Sequence, residues 1–251
     1  MNSAIRMEWI KLRSVRSTWW LAAVSIVAMA AAGTGVGLGY RSHTPIATEA
    51  QIFNNSLSGA LLAQLLLGAL GVLMVTGEYG SGMIRSTLAA VPRRRTVLIA
   101  KAVVCGGAAL TAGLVASFAG YLGGQLAIRG TAIPAASLGD GVILRAVLLT
   151  GAYLAATALI GLGVGTIVRH SGAAVGILFA LMFVPIIVVG MFGESGIAVG
   201  RFMPLLMLLN AIAVITPTPG LFPATGSVLL MCGYAAAAVA LGGVLLRRRD
   251  A

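Results

Sequence analysis

Six long apolar runs dominate the chain, and most of its charges lie between them. The runs are Thr18–Tyr40, Ser56–Val75, Ala102–Ile128, Ala146–Val168, Gly172–Phe192 and Ser227–Leu246. Each has at least the roughly 20 residues that a helix needs to cross the hydrocarbon core of a bilayer. A further apolar stretch, Phe202–Ile215, is shorter, contains Pro204 and Asn210, and runs into Thr216-Pro217-Thr218-Pro219-Gly220. Stretches of about 10–14 residues suit re-entrant segments better than spans. The expected fold is therefore an all-α membrane protein with six transmembrane helices in one domain over residues 1–251. Residues 193–226 are expected to form an external, partly re-entrant hairpin; a short seventh span is the alternative. The first run is too long, and begins too far from the N-terminus, for a cleavable signal peptide.

Charge sets the orientation. Thirteen of the 17 Lys and Arg residues fall in the N-terminal stretch, the loops after the second and fourth runs, and the C-terminus; four fall in the other connections. Basic residues mark the cytoplasmic side, so both termini are expected inside. Composition agrees with the class: 59% of residues are hydrophobic and 9% are charged, against about 25% charged in soluble domains. The net charge of +11 is absorbed by this topology and does not point to nucleic acid. Cys105 and Cys232 lie inside apolar runs without metal spacing. Small-residue pairs such as Gly35/Gly39, Gly120/Gly124, Gly161/Gly165 and Gly172/Gly176 allow close helix approach and are read as general packing.

The runs hold no ionisable residue well inside them. Intramembrane charges are the usual mark of proton relays, so proton-driven transport by this chain alone is disfavoured. Neither Lys11-Leu12 nor Lys101-Ala102 fits a phosphate-binding loop, which needs Gly-Lys-Ser/Thr. If ATP drives a process here, another chain hydrolyses it. Gly193-Glu194-Ser195-Gly196 superficially fits an intramembrane serine protease, but His43 and His170 both precede the serine, where that family's histidine follows on a later span. The role of His170, beside Arg169, is left open.

Two segments carry functional information. In the loop after the second run, Ile84, Leu88 and Val91 stand at i, i+4 and i+7, giving one apolar face before Pro92 stops the helix and Arg93-Arg94-Arg95 follow. Such a helix suits docking into a groove on a soluble partner; a basic loop lying on anionic lipid is the other reading. At the N-terminus, Ile5, Trp9 and Leu12 share a face, with Arg6, Lys11, Arg13 and Arg16 mostly to its sides. This describes a basic helix in the membrane interface, with Trp19 and Trp20 anchoring the first span.

These segments resemble the permease subunits of type-2 ATP-binding-cassette (ABC) transporters. The opening Glu8-Trp9-Ile10-Lys11-Leu12-Arg13-Ser14-Val15-Arg16-Ser17-Thr18-Trp19-Trp20 is similar to the openings of many actinobacterial members. Glu78, Tyr79, Gly82, Ile84, Arg85, Leu88 and Pro92 match the pattern of the loop after the second span, and Ala100-Lys101 continues it. The resemblance implies half of a dimeric exporter pathway, paired with an identical or related half and driven by a cytoplasmic ABC ATPase subunit. ATP and magnesium would reside on that ATPase, with no cofactor or metal in this chain and no catalytic residue of its own. It further implies that residues 1–17 form an elbow helix, with Arg6, Trp9, Lys11 and Arg13 in it. Residues 76–101 would be the coupling loop, with Glu78, Tyr79, Ile84, Arg85, Leu88 and Pro92 as its ATPase-coupling residues; Ile84 and Leu88 would fill the ATPase groove. The location would be a bacterial cell membrane, and the cargo a drug, peptide antibiotic or lipid-like compound. The alternative class is a membrane-anchored structural or signalling protein whose basic loop binds lipid.

Overall fold

The computed structural model describes residues 1–43, 49–91, 93–131, 135–191, 197–213 and 222–248. Among these residues the regular structure is helical, in eleven segments without a strand. They are α1 (Asn2–Ser14), α2 (Arg16–His43), α3 (Glu49–Ser56), α4 (Ala60–Gly80), α5 (Met83–Ala90), α6 (Arg94–Ala127), α7 (Gly141–Val168), α8 (Ser171–Gly190), α9 (Ile197–Gly200), α10 (Pro204–Ile212) and α11 (Ala224–Arg248). Six helical stretches are long and apolar enough to cross a membrane: α2, α3 with α4, α6, α7, α8 and α11. They coincide with the six apolar runs.

The helices outlast the apolar runs at one end of the bundle. α4 continues to Gly80 and α6 begins at Arg94, so much of 76–101 is helix rather than loop. Glu78 and Lys101 thereby ride on spanning helices, near their ends. The turn between α4 and α5 depends on Gly82, whose φ of +71° lies in the left-handed region that glycine adopts without strain. At the same end, Arg169 closes α7 with φ +62°, and the His170 ring Nδ1 accepts from the Ala173 N–H to cap α8. That gives His170 a structural role as an N-cap.

α7 is the centre of the bundle. Buried residues fill 78% of its apolar window, against 17% for α8 and 22% for α2 and α11. It packs most extensively on α4, α11 and α6, while α2 packs on α6. Small residues make these approaches possible, since backbones meet where side chains would otherwise intervene. A Cβ on Gly71 would collide with the Ala158 carbonyl, and one on Gly161 with the Gly68 carbonyl. A Cβ on Gly33 would strike the Gly120 carbonyl. Of the four pairs read from the sequence, Gly120/Gly124 and Gly161/Gly165 lie at such contacts, whereas Gly35, Gly39 and Gly176 face open space.

α10 has nine residues, about 14 Å of helix, roughly half the hydrocarbon thickness. It is too short for a seventh span. It packs on α7, α8 and α11, with Met207, Leu208 and Ala211 fully buried. The Tyr153 hydroxyl of α7, at 0% residue exposure, lies 2.9 Å from the Pro204 carbonyl and 3.1 Å from Gln64 Oε1 of α4. This ties α10 to the bundle. Residues 193–196 and 214–221 of the expected hairpin, including Ser195, lie outside the described residues.

Close helix packing sets a testable asymmetry. Gly71→Ala and Gly161→Ala should each destabilise the detergent-solubilised protein by about 1–3 kcal/mol, the usual cost of overpacking. Gly35→Ala and Gly176→Ala should stay within about 0.5 kcal/mol. Thermal unfolding of the four variants checks the difference.

Candidate functional site

Two lysines and two glutamates close a ring at the junction of α1, α4 and α6, beside α5. Lys11 Nζ of α1 lies 3.0 Å from Glu8 Oε1 and 2.8 Å from Glu78 Oε1 of α4. Lys101 Nζ of α6 lies 2.6 Å from Glu8 Oε2 and 2.8 Å from Glu78 Oε1. The charges alternate around the ring and sum to zero. Lys11 also donates to Thr87 Oγ1 of α5 at 2.9 Å, and Lys101 donates to the Met74 carbonyl at 3.3 Å. Each ammonium thus spends all three of its N–H donors. The side chains of Glu8, Glu78 and Lys101 are 1%, 6% and 4% exposed; that of Lys11 is 21% exposed.

Residue choice suits this geometry. The chain has 15 arginines and two lysines, and both lysines are in the ring. An ammonium is a compact charge with three tetrahedrally disposed donors, which fits three acceptors converging from two or three helices better than a planar guanidinium does. Burial alone would lower the Lys11 pKa, but its hydrogen bonds and attraction to Glu78 and Glu8 outweigh that and raise it above 10.5. A raised folded-state pKa stabilises the fold below the unfolded value and is lost as pH climbs through the folded value. Lys11 therefore keeps its contribution across neutral pH and gives it up only in strong alkali.

Two further ties hold the same end of the bundle. Arg169 places its guanidinium carbon 5.0 Å from the centre of the Tyr79 ring, and Ser171 Oγ is 2.9 Å from Thr76 Oγ1, joining the α7–α8 turn to α4. Arg94 donates to the Leu246 carbonyl at 2.7 Å, joining the start of α6 to the last turn of α11.

A family comparison bears on this end of the chain. A model of the ABC-2 family transporter proteins matches residues 4–186, from α1 through most of α8 and across all four residues of the ring. The chain belongs to this family. It is the membrane-embedded, multi-pass component of an ABC-2 transporter. No curated protein matches it.

The ABC-2 permease places its sequence-marked residues unevenly. Glu78 and Lys11 are in the ring, and Tyr79 is half-buried under Arg169. Arg85 is exposed on α5, and Arg6, Trp9 and Arg13 are exposed on α1. Ile84 is 6% exposed and turned inward, away from the outward side of α5. The reason is Thr87, three residues on, which must face Lys11 and carries Ile84 inward with it. The outward positions of α5 are Met83, Arg85, Ser86, Ala89 and Ala90. Pro92 and the Leu88 side chain lie outside the described residues. On α1 the buried face is Ala4, Glu8 and Leu12; of the Ile5, Trp9 and Leu12 face read from the sequence, Leu12 is buried, Ile5 half-buried and Trp9 exposed. Glu8, Thr87 and Lys101 had no assigned role in that reading. Their signal was present: both lysines and two of only six acidic residues fall within segments already singled out.

Removing one member leaves buried charge uncompensated, at a cost of about 3–5 kcal/mol. Lys101→Met should destabilise the permease by this amount, and Glu8→Gln should also be strongly destabilising. Arg85→Ala, at the surface, should change stability by less than about 0.5 kcal/mol. Thermal unfolding in detergent separates the two classes.

Proposed function

We propose that this permease is one half of a dimeric exporter whose power comes from a separate cytoplasmic ABC ATPase, which binds ATP and magnesium. In this reading α5 is the coupling helix, α1 the elbow helix, both termini face the cytoplasm of a bacterial cell, and residues 193–226 lie outside. The observation that carries it is the ring, since α5 is not a free loop. Thr87 and Glu78 tie it to α1 and to the ends of two spans, so a push on α5 is delivered to α1, α4 and α6 together. The work is mechanical, done by binding energy at α5, and no chemistry is assigned to this chain. The second half is an identical or related permease, and its surface would come from the sparsely buried α2, α8 and α11. The cargo fits the drug, peptide or lipid-like class that an acid-poor apolar bundle could pass.

Docking through the outward side of α5 is directly testable. Met83→Asp with Arg85→Glu should insert normally yet retain at least about tenfold less of the cognate ATPase on co-purification, as expected when a central contact is replaced by a repulsive one. Undiminished retention would place the ATPase contact elsewhere.

A further inference from the structure

The turn between α9 and α10 carries an arginine without a counter-charge among the described residues. Arg201 sits beside Phe222, just before α11 begins at Ala224. The other end of α11 is tied to Arg94 at the start of α6, so Arg201 lies far from the Lys–Glu ring. The turn is held against the flanks of two spans rather than on their ends. Tyr234 stands ten residues past Ala224 on α11, about 15 Å along the helix, and its hydroxyl donates to the Phe202 carbonyl at 3.2 Å. Tyr153 stands twelve residues past Gly141 on α7, about 18 Å along, and its hydroxyl meets the Pro204 carbonyl. Residues 201–204 are therefore drawn down beside the spans.

Arg201 has aromatic neighbours but no acceptor. Its guanidinium carbon lies 4.9 Å from the centre of the Phe202 ring and 5.4 Å from that of Phe222. The two phenyl rings meet edge to face, 5.3 Å apart. Their faces attract the cation but offer no lone pair to its N–H donors. Nε is enclosed without a hydrogen-bond partner, and the ion pairs among the described residues all belong to the Lys–Glu ring. Asp140, at the same end of the bundle, accepts from the Val142 N–H instead. α10 adds to the imbalance. It begins at Pro204 with no side-chain cap, and a helix N-terminus disfavours a neighbouring cation and attracts an anion. Val199 and Phe202 are 54% and 40% exposed, so the surface around the cation is apolar. An unpaired charge set among apolar spans is by default the mark of a functional site.

We propose that Arg201, clamped by Phe202 and Phe222, binds the phosphate headgroup of an amphiphile whose apolar tail lies against the exposed side chains beside it. A phosphate supplies the missing negative charge and paired acceptors for the guanidinium edge. Its remaining oxygens suit the free N–H groups at the start of α10. The phenyl rings hold the guanidinium in place, so little side-chain freedom is lost on binding. The same chemistry is offered by a bilayer phospholipid and by a free lipid-like phosphate. The site stands whether or not the chain exports, and so goes beyond the ATPase reading.

Photolabelling of the full chain in uncharged maltoside detergent reads this site. Two probes share one long alkyl chain with a diazirine beside the headgroup; one ends in a phosphate and the other in an alcohol. Labelling of residues 197–206 and 222–234, mapped by peptide mass, should be at least about fivefold greater from the phosphate, as a charge-assisted pair with a guanidinium allows. The excess should vanish in Arg201→Gln and persist in Arg145→Gln, which removes an exposed arginine at the same end of the bundle. Competition distinguishes the sources. Loss of the excess to unlabelled phosphatidylglycerol assigns the site to bilayer phospholipid; loss to unlabelled alkyl phosphate alone assigns it to a free phosphate amphiphile. Equal labelling by the two probes in the wild-type chain would overturn the site and leave Arg201 to a partner within the chain, such as Glu194. An excess that survives Arg201→Gln, or that Arg145→Gln loses equally, would also overturn it. The wild-type comparison stands if Arg201→Gln fails to insert.

Discussion

The structure depends on neutralising four charges that three helices bring out of water together. Desolvating an ammonium or carboxylate costs several kcal/mol per ion, recovered only by close opposite charges and satisfied hydrogen bonds. Here the recovery requires α1, α4 and α6 to be in place at once, with α5 supplying Thr87. Remove any one helix and at least one buried ion loses a partner. The ring is a constraint on geometry before it is a source of stability. It makes one unit of segments that the chain separates by up to 93 residues.

Below the ring the bundle is held differently. Small residues let α4, α6, α7 and α11 approach with backbones almost touching, so that dispersion replaces the hydrophobic drive that lipid does not provide. The consequence is a division within one domain. α7 and the helices around it form a close-packed core, while α2, α8 and α11 turn much of their surface outward. A displacement of α5 therefore meets stiff helices at the ring and freer surfaces at the periphery.

Much of this was legible in the sequence. Each span stood out because a bilayer demands a run of apolar residues and tolerates few charges within it, so length and composition settle the matter locally. The short helix after the second span was legible through the spacing of Ile84, Leu88 and Val91 and the stop at Pro92. Its facing was not, because the outcome turned on Thr87, whose partner Lys11 lies 76 residues away. The same holds for α1. Its interfacial apolar face of Ile5, Trp9 and Leu12 could be read from spacing, but the inward turn of Glu8 could not, because its partner Lys101 lies 93 residues away. The nine-residue α10 was foreseen as non-spanning from its length, whereas its anchor, the buried Tyr153 hydroxyl, carried no local mark. Patterns within one element could be read; pairings between elements needed the fold.

If the ring makes α1 and α5 one mechanical unit, their separation must not change while the transporter works. Spin labels at Asn2 on α1 and Ser86 on α5, both exposed, allow that separation to be measured by pulsed electron–electron resonance in the complex with its ATPase. The account predicts a single narrow distance that is the same with and without ATP, and that broadens when Lys101 is replaced by Met. A wild-type distance that shifts or splits on nucleotide binding would contradict it.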